Sequence, residues 1–173
     1  MTRKHESSTT RRMLRHVAAD QRGVTAAFPP DALQRIENAI AQGERTHRGQ
    51  VRFAVEAALP LGRIARRLSP RERALEIFGL SRTWDTEENC GVLVYLLLAD
   101  RDVEIVADRG IHRRVEDGTW ESICATMEQA FGAGRFSEGV LAGIEGINQV
   151  LSTHFPCKPG EASNELPDAP LVL

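Results

Sequence analysis

Hydrophobic positions recur along this chain at two spacings, and the alternation between them lays out the elements. Phe28-Pro29-Pro30-Asp31 opens a helix, proline being suited to the first turn, and Leu33, Ile36, Ala39 and Ile40 form a stripe carrying it to about His47. Gly49 ends it. Val51 to Leu59 then alternates: Val51, Phe53, Val55, Ala57 and Leu59 share one face, while Arg52 and Glu56 lie on the other. That pattern predicts a strand with one buried face, near a sheet edge. Ser69-Pro70-Arg71-Glu72 has the form of a capping box, and Ala74, Leu75, Ile77 and Phe78 continue the helix to Leu80. Gly91 to Leu98 is an unbroken apolar run, as expected of a central strand covered on both faces. The polar turn Ala99 to Asp102 leads into a third strand, Val103 to Ala107, so these two strands form a hairpin. Trp120, Ile123, Cys124, Met127, Ala130 and Phe131 mark a helix with Asp117 as its N-cap. A last helix runs from about Ser137 to His154 through Val140, Ile144, Ile147 and Leu151. Its Gly139, Gly143 and Gly146 make a flat side expected to pack tightly on the sheet.

A helix between the first two strands makes a parallel crossover, and the hairpin then adds an antiparallel strand. With helices on both faces the fold class is α/β: a three-layer α/β/α sandwich with a small mixed sheet. Residues 1–10 read as a disordered N-terminus and 11–27 as a short helix and linker. Residues 28–155 make the domain, and the Pro-, Gly- and Ser-rich residues 156–173 read as a disordered tail. In the segment 11–20, Met13, Leu14, Val17 and Ala18 recur at helical spacing among Arg11, Arg12, Arg15 and His16. Such a helix docks on the domain, or it lies on an anionic membrane as a peripheral contact.

Composition narrows the function classes. A net charge of -2 argues against nucleic acid as a partner. Three cysteines, Cys90, Cys124 and Cys157, without paired spacing argue against a disulfide framework and a cysteine zinc site. No apolar run is long enough to span a bilayer and Met1 to Thr10 is polar, so the expected setting is cytoplasmic.

The topology also places three polar segments at one end of the sheet: Glu44 to His47, Trp84 to Asn89, and Ala107 to Gly110. This is the amino end of the parallel strands, opposite the usual ligand position in open α/β sheets. Arg63, Arg66 and Arg67 near Asp100 to Asp102 make an ordinary solvated rim at the other end. The stretch Trp84-Asp-Thr-Glu-Glu-Asn-Cys-Gly-Val-Leu-Val-Tyr-Leu-Leu-Leu98, the Asp100-Arg101 turn and Val103-Glu-Ile-Val-Ala-Asp-Arg-Gly110 resemble the TPM domain family. The Phe131 to Gly139 segment, an aromatic followed by Gly-x-Gly-x-Phe-x-x-Gly, resembles it too. The likeness covers roughly Asp31 to His154. That family includes a thylakoid-lumen photosystem II repair protein and bacterial proteins of unknown role. The resemblance implies an α/β/α sandwich, a divalent-cation site and the weak acid phosphatase activity of plant members. The chain departs from the membrane-tethered members in lacking a signal peptide and a C-terminal membrane helix, and it has Cys90 where asparagine is usual.

Asp85, Glu87 and Asn89 alternate like the first ligands of a calcium loop. Cys90 occupies the glycine position and Leu96 the last carboxylate position, so no EF-hand is present. Asp85, Glu88, Asn89 and Asp108 remain a composite oxygen set for Ca²⁺ or Mg²⁺. The structural alternative is that Asp85 and Thr86 make a turn, Asn89 satisfies loop backbone, and Asp108 pairs with Arg109 or Arg113. Glu44 and His47, three apart on a helix, are either a proton-exchanging or metal-binding pair or a helix-end histidine favoured by the dipole. Trp84 reads as a lid over the helix layer, and Cys90 as an inert strand residue. No nucleophile elbow, P-loop or zinc-protease motif occurs, so any hydrolysis would need a metal-bound water, with Glu44 or His47 as base. The expected function is a cation-binding module or one that docks an unidentified protein partner, the alternative being a weak metal-dependent phosphatase.

Overall fold

A computed structural model of the chain describes residues 3–157 and 164–173, with side chains from residue 10 onward. The elements follow in the order α1 (Arg3–Ala18), α2 (Gln21–Ala27), α3 (Pro30–Gly43), β1 (Gln50–Glu56), α4 (Leu61–Ala65), α5 (Pro70–Leu80), β2 (Gly91–Leu97), β3 (Asp102–Ala107), α6 (Arg109–His112), α7 (Thr119–Gly132), α8 (Phe136–His154) and β4 (Leu171–Val172). The sheet order is β3-β2-β1-β4. β1 and β2 run parallel with Gln50 opposite Gly91, and β2 and β3 form the antiparallel hairpin with Val92 opposite Ala107. The α/β/α sandwich and its mixed sheet are as expected.

Strand alternation divides the core in two. Val51, Phe53, Val55, Val92, Val94, Leu96, Val103 and Ile105 face α3, α7 and α8, where they meet Ile36, Ile40, Met127, Phe131, Ile144 and Ile147. Ala54, Leu93, Tyr95, Leu97 and Val106 face the other layer, with Ile64, Ala74, Ile77 and Met13. Each fully buried aliphatic side chain contributes roughly 1.5–3 kcal/mol through water exclusion. The capping box forms as expected: Ser69 Oγ accepts from Glu72 N–H at 3.1 Å, and Glu72 Oε2 accepts from Ser69 N–H at 2.8 Å.

Several expectations are corrected. β1 lies next to the edge of the sheet, as expected, but it is buried on both faces, and residues expected to be a disordered tail supply the edge strand β4. Leu171 and Val172 pair in parallel with Ala54 and Val55, and Leu173 N–H donates to Val55 O at 2.9 Å. The edge groups of β1 are satisfied by the chain's own distant segment. Helix α1 starts at Arg3 rather than Arg11 and is anchored at its far end: Arg12 and Arg15 grip Asp100 at 2.8 and 2.7 Å, and buried His16 accepts from Leu59 N–H at 2.9 Å. Residues 1, 2 and 158–163 of the two stretches expected to be disordered lie outside the described residues. The N-cap of α7 is Gly118 with φ 83°, a backbone angle Asp117 would adopt less readily. The α8 glycines face α7, not the sheet. A Cβ at Gly139 would meet Phe131, one at Gly143 would meet Met127, and one at Gly146 would meet Ile123.

Buried charge on the α5 side is paired. Arg73 reaches Glu56 with two bonds of 2.8 and 3.0 Å, and Tyr95 O–H donates to the same carboxylate at 2.6 Å. This network accounts for Glu56 in a fully buried strand, and Arg52 on the same face donates through Nη1 to Pro167 O.

Candidate functional site

Two of the three polar segments, Trp84 to Asn89 and Ala107 to Gly110, meet directly, and the Glu44 to His47 segment turns away from them. Gln50 N–H donates to Cys90 O, Asp108 N–H to Gly91 O and Gly110 N–H to Asn89 O, which closes the loop before β2 against the start of α6. The close approach depends on Gly91, where a Cβ would lie 1.8 Å from the Thr83 carbonyl oxygen. Within the loop, buried Thr86 Oγ1 accepts from Cys90 N–H at 3.0 Å, and Asn89 takes the left-handed conformation, φ 54°, that asparagine tolerates.

The expected ligands are not equivalent. Asp85, Glu88 and Asn89 are exposed, while Asp108 is buried. Glu88 forms an ion pair with Arg48, whose guanidinium holds its carboxyl below the usual range and also donates to Pro156 O. Asp108 caps α6, accepting from Arg109 N–H at 2.6 Å through Oδ1; its Oδ2 is buried with no hydrogen-bond partner among the described residues. Neither the Arg109 nor the Arg113 side chain makes an ion pair with it among the described residues. No three His, Cys, Asp or Glu side chains among those residues gather closely enough to hold a metal.

Glu44 and His47 do not share a helical face, because α3 ends at Gly43 and Glu44 is its C-cap. Glu44 turns instead to the outer edge of β1, where Oε1 accepts from Val51 N–H at 2.8 Å. Burial pushes its carboxyl up to about 8, and the nearby Asp168 carboxylate acts in the same direction against the Val51 N–H and Arg52. His47 is wholly buried. Its Nδ1 lies 3.0 Å from Gly49 O, a pure acceptor, and its Nε2 faces the Asn148 side-chain amide at 3.1 Å. Burial lowers its pKa, and the Asn148 and Gly49 oxygens beside the ring act in the opposite direction. These two groups brace the backbone around β1 and are closed to an outside substrate.

Trp84 is no lid: it is 51% exposed, on a stretch of chain where Asp85 and Glu87 are exposed too. Buried Thr83 fixes the loop beneath it through a 2.8 Å contact between its hydroxyl and that of Ser81. Cys90 is buried, and burial pushes its thiol up to about 11, in keeping with an inert strand residue.

Sequence reasoning missed the residues that bind this end together. Gln50 Oε1 accepts from Glu165 N–H and Leu166 N–H at 2.8 and 3.0 Å, Glu165 Oε2 accepts from Glu87 N–H at 2.9 Å, and Arg52 donates to Pro167 O. The signal was present in polar Gln50 and Arg52, on the strand face shared with Glu56: such side chains need partners, and only a segment from far along the chain could supply them. At the opposite end, Asp100 is the anchor of α1 rather than part of a solvated rim.

The family model described as TPM domain matches residues 24–150. Among solved structures the fold resembles the NMR structure of the BA42 protein from the psychrophilic bacterium Bizionia argentinensis. The TM-score is 0.73 at 26% sequence identity, covering 83% of this chain and 93% of that one. No curated protein sequence matches the chain.

Proposed function

The chain belongs to the TPM domain family, and from its geometry we propose a domain that binds rather than catalyses, docking a protein partner at the polar end of the sheet. The observation that carries this reading is Trp84, half exposed on a loop fixed from beneath and followed by exposed Asp85 and Glu87, which form no ion pair among the described residues. A large exposed aromatic among polar neighbours is the residue type that dominates protein–protein binding energy. The partner is expected to offer an apolar pocket with basic neighbours, and the cytoplasm is the proposed setting.

The test is photo-crosslinking from position 84 in cells, followed by titration of the purified cross-linked protein. Saturable binding that weakens at least about tenfold in Trp84→Ala supports docking. Affinity that is indifferent to this change refutes it.

A second reading rests on one separate observation, the buried and unpartnered Asp108 Oδ2. A divalent cation would satisfy that oxygen, and Ca²⁺ or Mg²⁺ suits a carboxylate and backbone-carbonyl environment. The remaining ligands would have to be carbonyls or water, because Glu88 is engaged by Arg48. Metal-dependent phosphomonoester hydrolysis would need a fuller ligand set and a reachable base, and the described residues supply neither, so no hydrolytic step is derived. Calorimetric titration of the chelator-stripped chain with Ca²⁺ and Mg²⁺ decides this reading: binding heat abolished by Asp108→Asn supports it, and absence of heat removes it together with the phosphatase.

A further inference from the structure

A second feature lies away from the polar end. Antiparallel pairing gives β3 one edge facing β2 and one facing outward. Asp108 N–H points to β2, so the backbone groups of Val103, Ile105 and Ala107 point away from it. β3 is the outermost strand on this side. Between that edge and α7 lies a cavity of about 460 Å³. Its apolar walls are Val103, Ile105, Ala107, Trp120, Cys124 and Ala125. The Cys124 thiol is pushed up to about 12 by burial, so it is a neutral wall.

The rim carries uneven charge. Glu121 and Glu128 project from α7 at a seven-residue spacing, hence on one helix face. Both are exposed, and neither makes an ion pair among the described residues. Glu104 adds a third carboxylate. Two basic side chains, Arg71 and His112, also line the cavity; Arg71 is already engaged, since its Nη1 donates to Ile105 O at 2.6 Å and lies 3.4 Å from Glu104 Oε2. It thereby closes the middle of the strand edge to an added peptide strand and leaves the α7 carboxylates uncompensated. The same negative field reaches Asp102, whose carboxyl is pushed up to about 6 by burial and then by Glu104 and Glu128. Trp120 contributes an aromatic surface, and its buried Nε1 has no acceptor among the described residues.

We propose that the groove between β3 and α7 is a binding site for a small organic cation: an apolar or aromatic body seated against Trp120, Cys124 and Ile105, with its ammonium facing Glu121 and Glu128. The volume fits a molecule of that size, the walls exclude water from its body, and the rim selects positive charge. This site is independent of the docking surface at Trp84.

The test uses the full chain with Trp84→Phe, which leaves Trp120 as the single tryptophan reporter. The probes are 2-phenylethylamine, 2-phenylethanol and 3-phenylpropanoate, which share a body and differ in charge. The amine is expected to change Trp120 fluorescence saturably with a dissociation constant of about 1 mM, the alcohol to bind several-fold more weakly, and the carboxylate weakest of all. Glu121→Gln with Glu128→Gln, both surface changes compatible with folding, is expected to weaken the amine about tenfold without altering the alcohol. Ala125→Phe, which fills the cavity, is expected to abolish both. Equal binding of amine and alcohol, preference for the carboxylate, or no response to the amine at about 10 mM each overturns the proposal.

Discussion

The protonation of Glu44 makes stability depend on pH in a direction opposite to that of most carboxylates. In the fold its pKa rises from the ordinary 4.5 to about 8, mainly through burial. The unfolded chain therefore releases this proton near pH 4.5, while the folded chain keeps it until about pH 8. Across that window the folded state binds more protons, so stability is full below pH 4.5 and is lost as pH rises towards 8. The full interval corresponds to about 5 kcal/mol, an upper bound because Arg52 and solvent offset part of it. Glu44→Gln removes the titration and keeps the acceptor for Val51 N–H, while its new N–H₂ has Asp168 beside it. Urea unfolding, followed by tryptophan fluorescence from pH 5 to 9, should find wild type and Glu44→Gln close at pH 5 and diverging as pH rises. By pH 8 the variant should be more stable by about 2 kcal/mol or more. Parallel curves throughout would refute the reasoning and show that Glu44 is ionised in the fold, its charge balanced by Arg52.

Further outcomes follow from close approach and buried charge. Gly91→Ala drives a methyl into the Thr83 carbonyl and should cost about 3 kcal/mol or more. Gly143→Ala meets the flexible end of Met127 and should cost nearer about 1 kcal/mol; both are read from urea midpoints. Arg73→Ala strands the Glu56 carboxylate and should destabilise by about 3 kcal/mol, whereas Arg73→Ala with Glu56→Gln should recover part of that in a double-mutant cycle. Arg101→Gly relieves a left-handed φ of 54° in the hairpin turn and should raise the thermal midpoint slightly, by about 0.5 kcal/mol equivalent.

The elements that sequence alone revealed are those whose signal is local. Ser69 and Glu72 announce a helix start within four residues, and the apolar run from Gly91 announces a doubly covered strand. The end of α3 was misjudged because Glu44 leaves the helix for Val51 N–H, a bond that depends on where β1 lies. β4 escaped notice because two residues in a Pro-rich tail have no periodicity; they become a strand only against Ala54 and Val55, over a hundred residues earlier. The anchoring of α1 on Asp100 was hidden for the same reason, since it joins residues 88 apart. The meeting of the Trp84 to Asn89 and Ala107 to Gly110 segments was legible from strand direction, but their chemistry was not. Nothing in the spacing says that Arg48 takes Glu88 or that His47 turns inward to Asn148.

The polar sheet end is tied together by Arg48, Glu88, Asn89, Gly110 and Glu165, contributed by four stretches of chain that meet only in the finished fold. No fragment can display this surface in isolation. A partner seated there therefore senses whether the whole domain is folded, and local fraying elsewhere leaves its affinity untouched. Its binding raises global stability by the full linkage increment, about 2.7 kcal/mol at a hundredfold excess over the dissociation constant. If the proposed partner docks there, the surface would act as a checkpoint, present when the chain is native and absent when it is not.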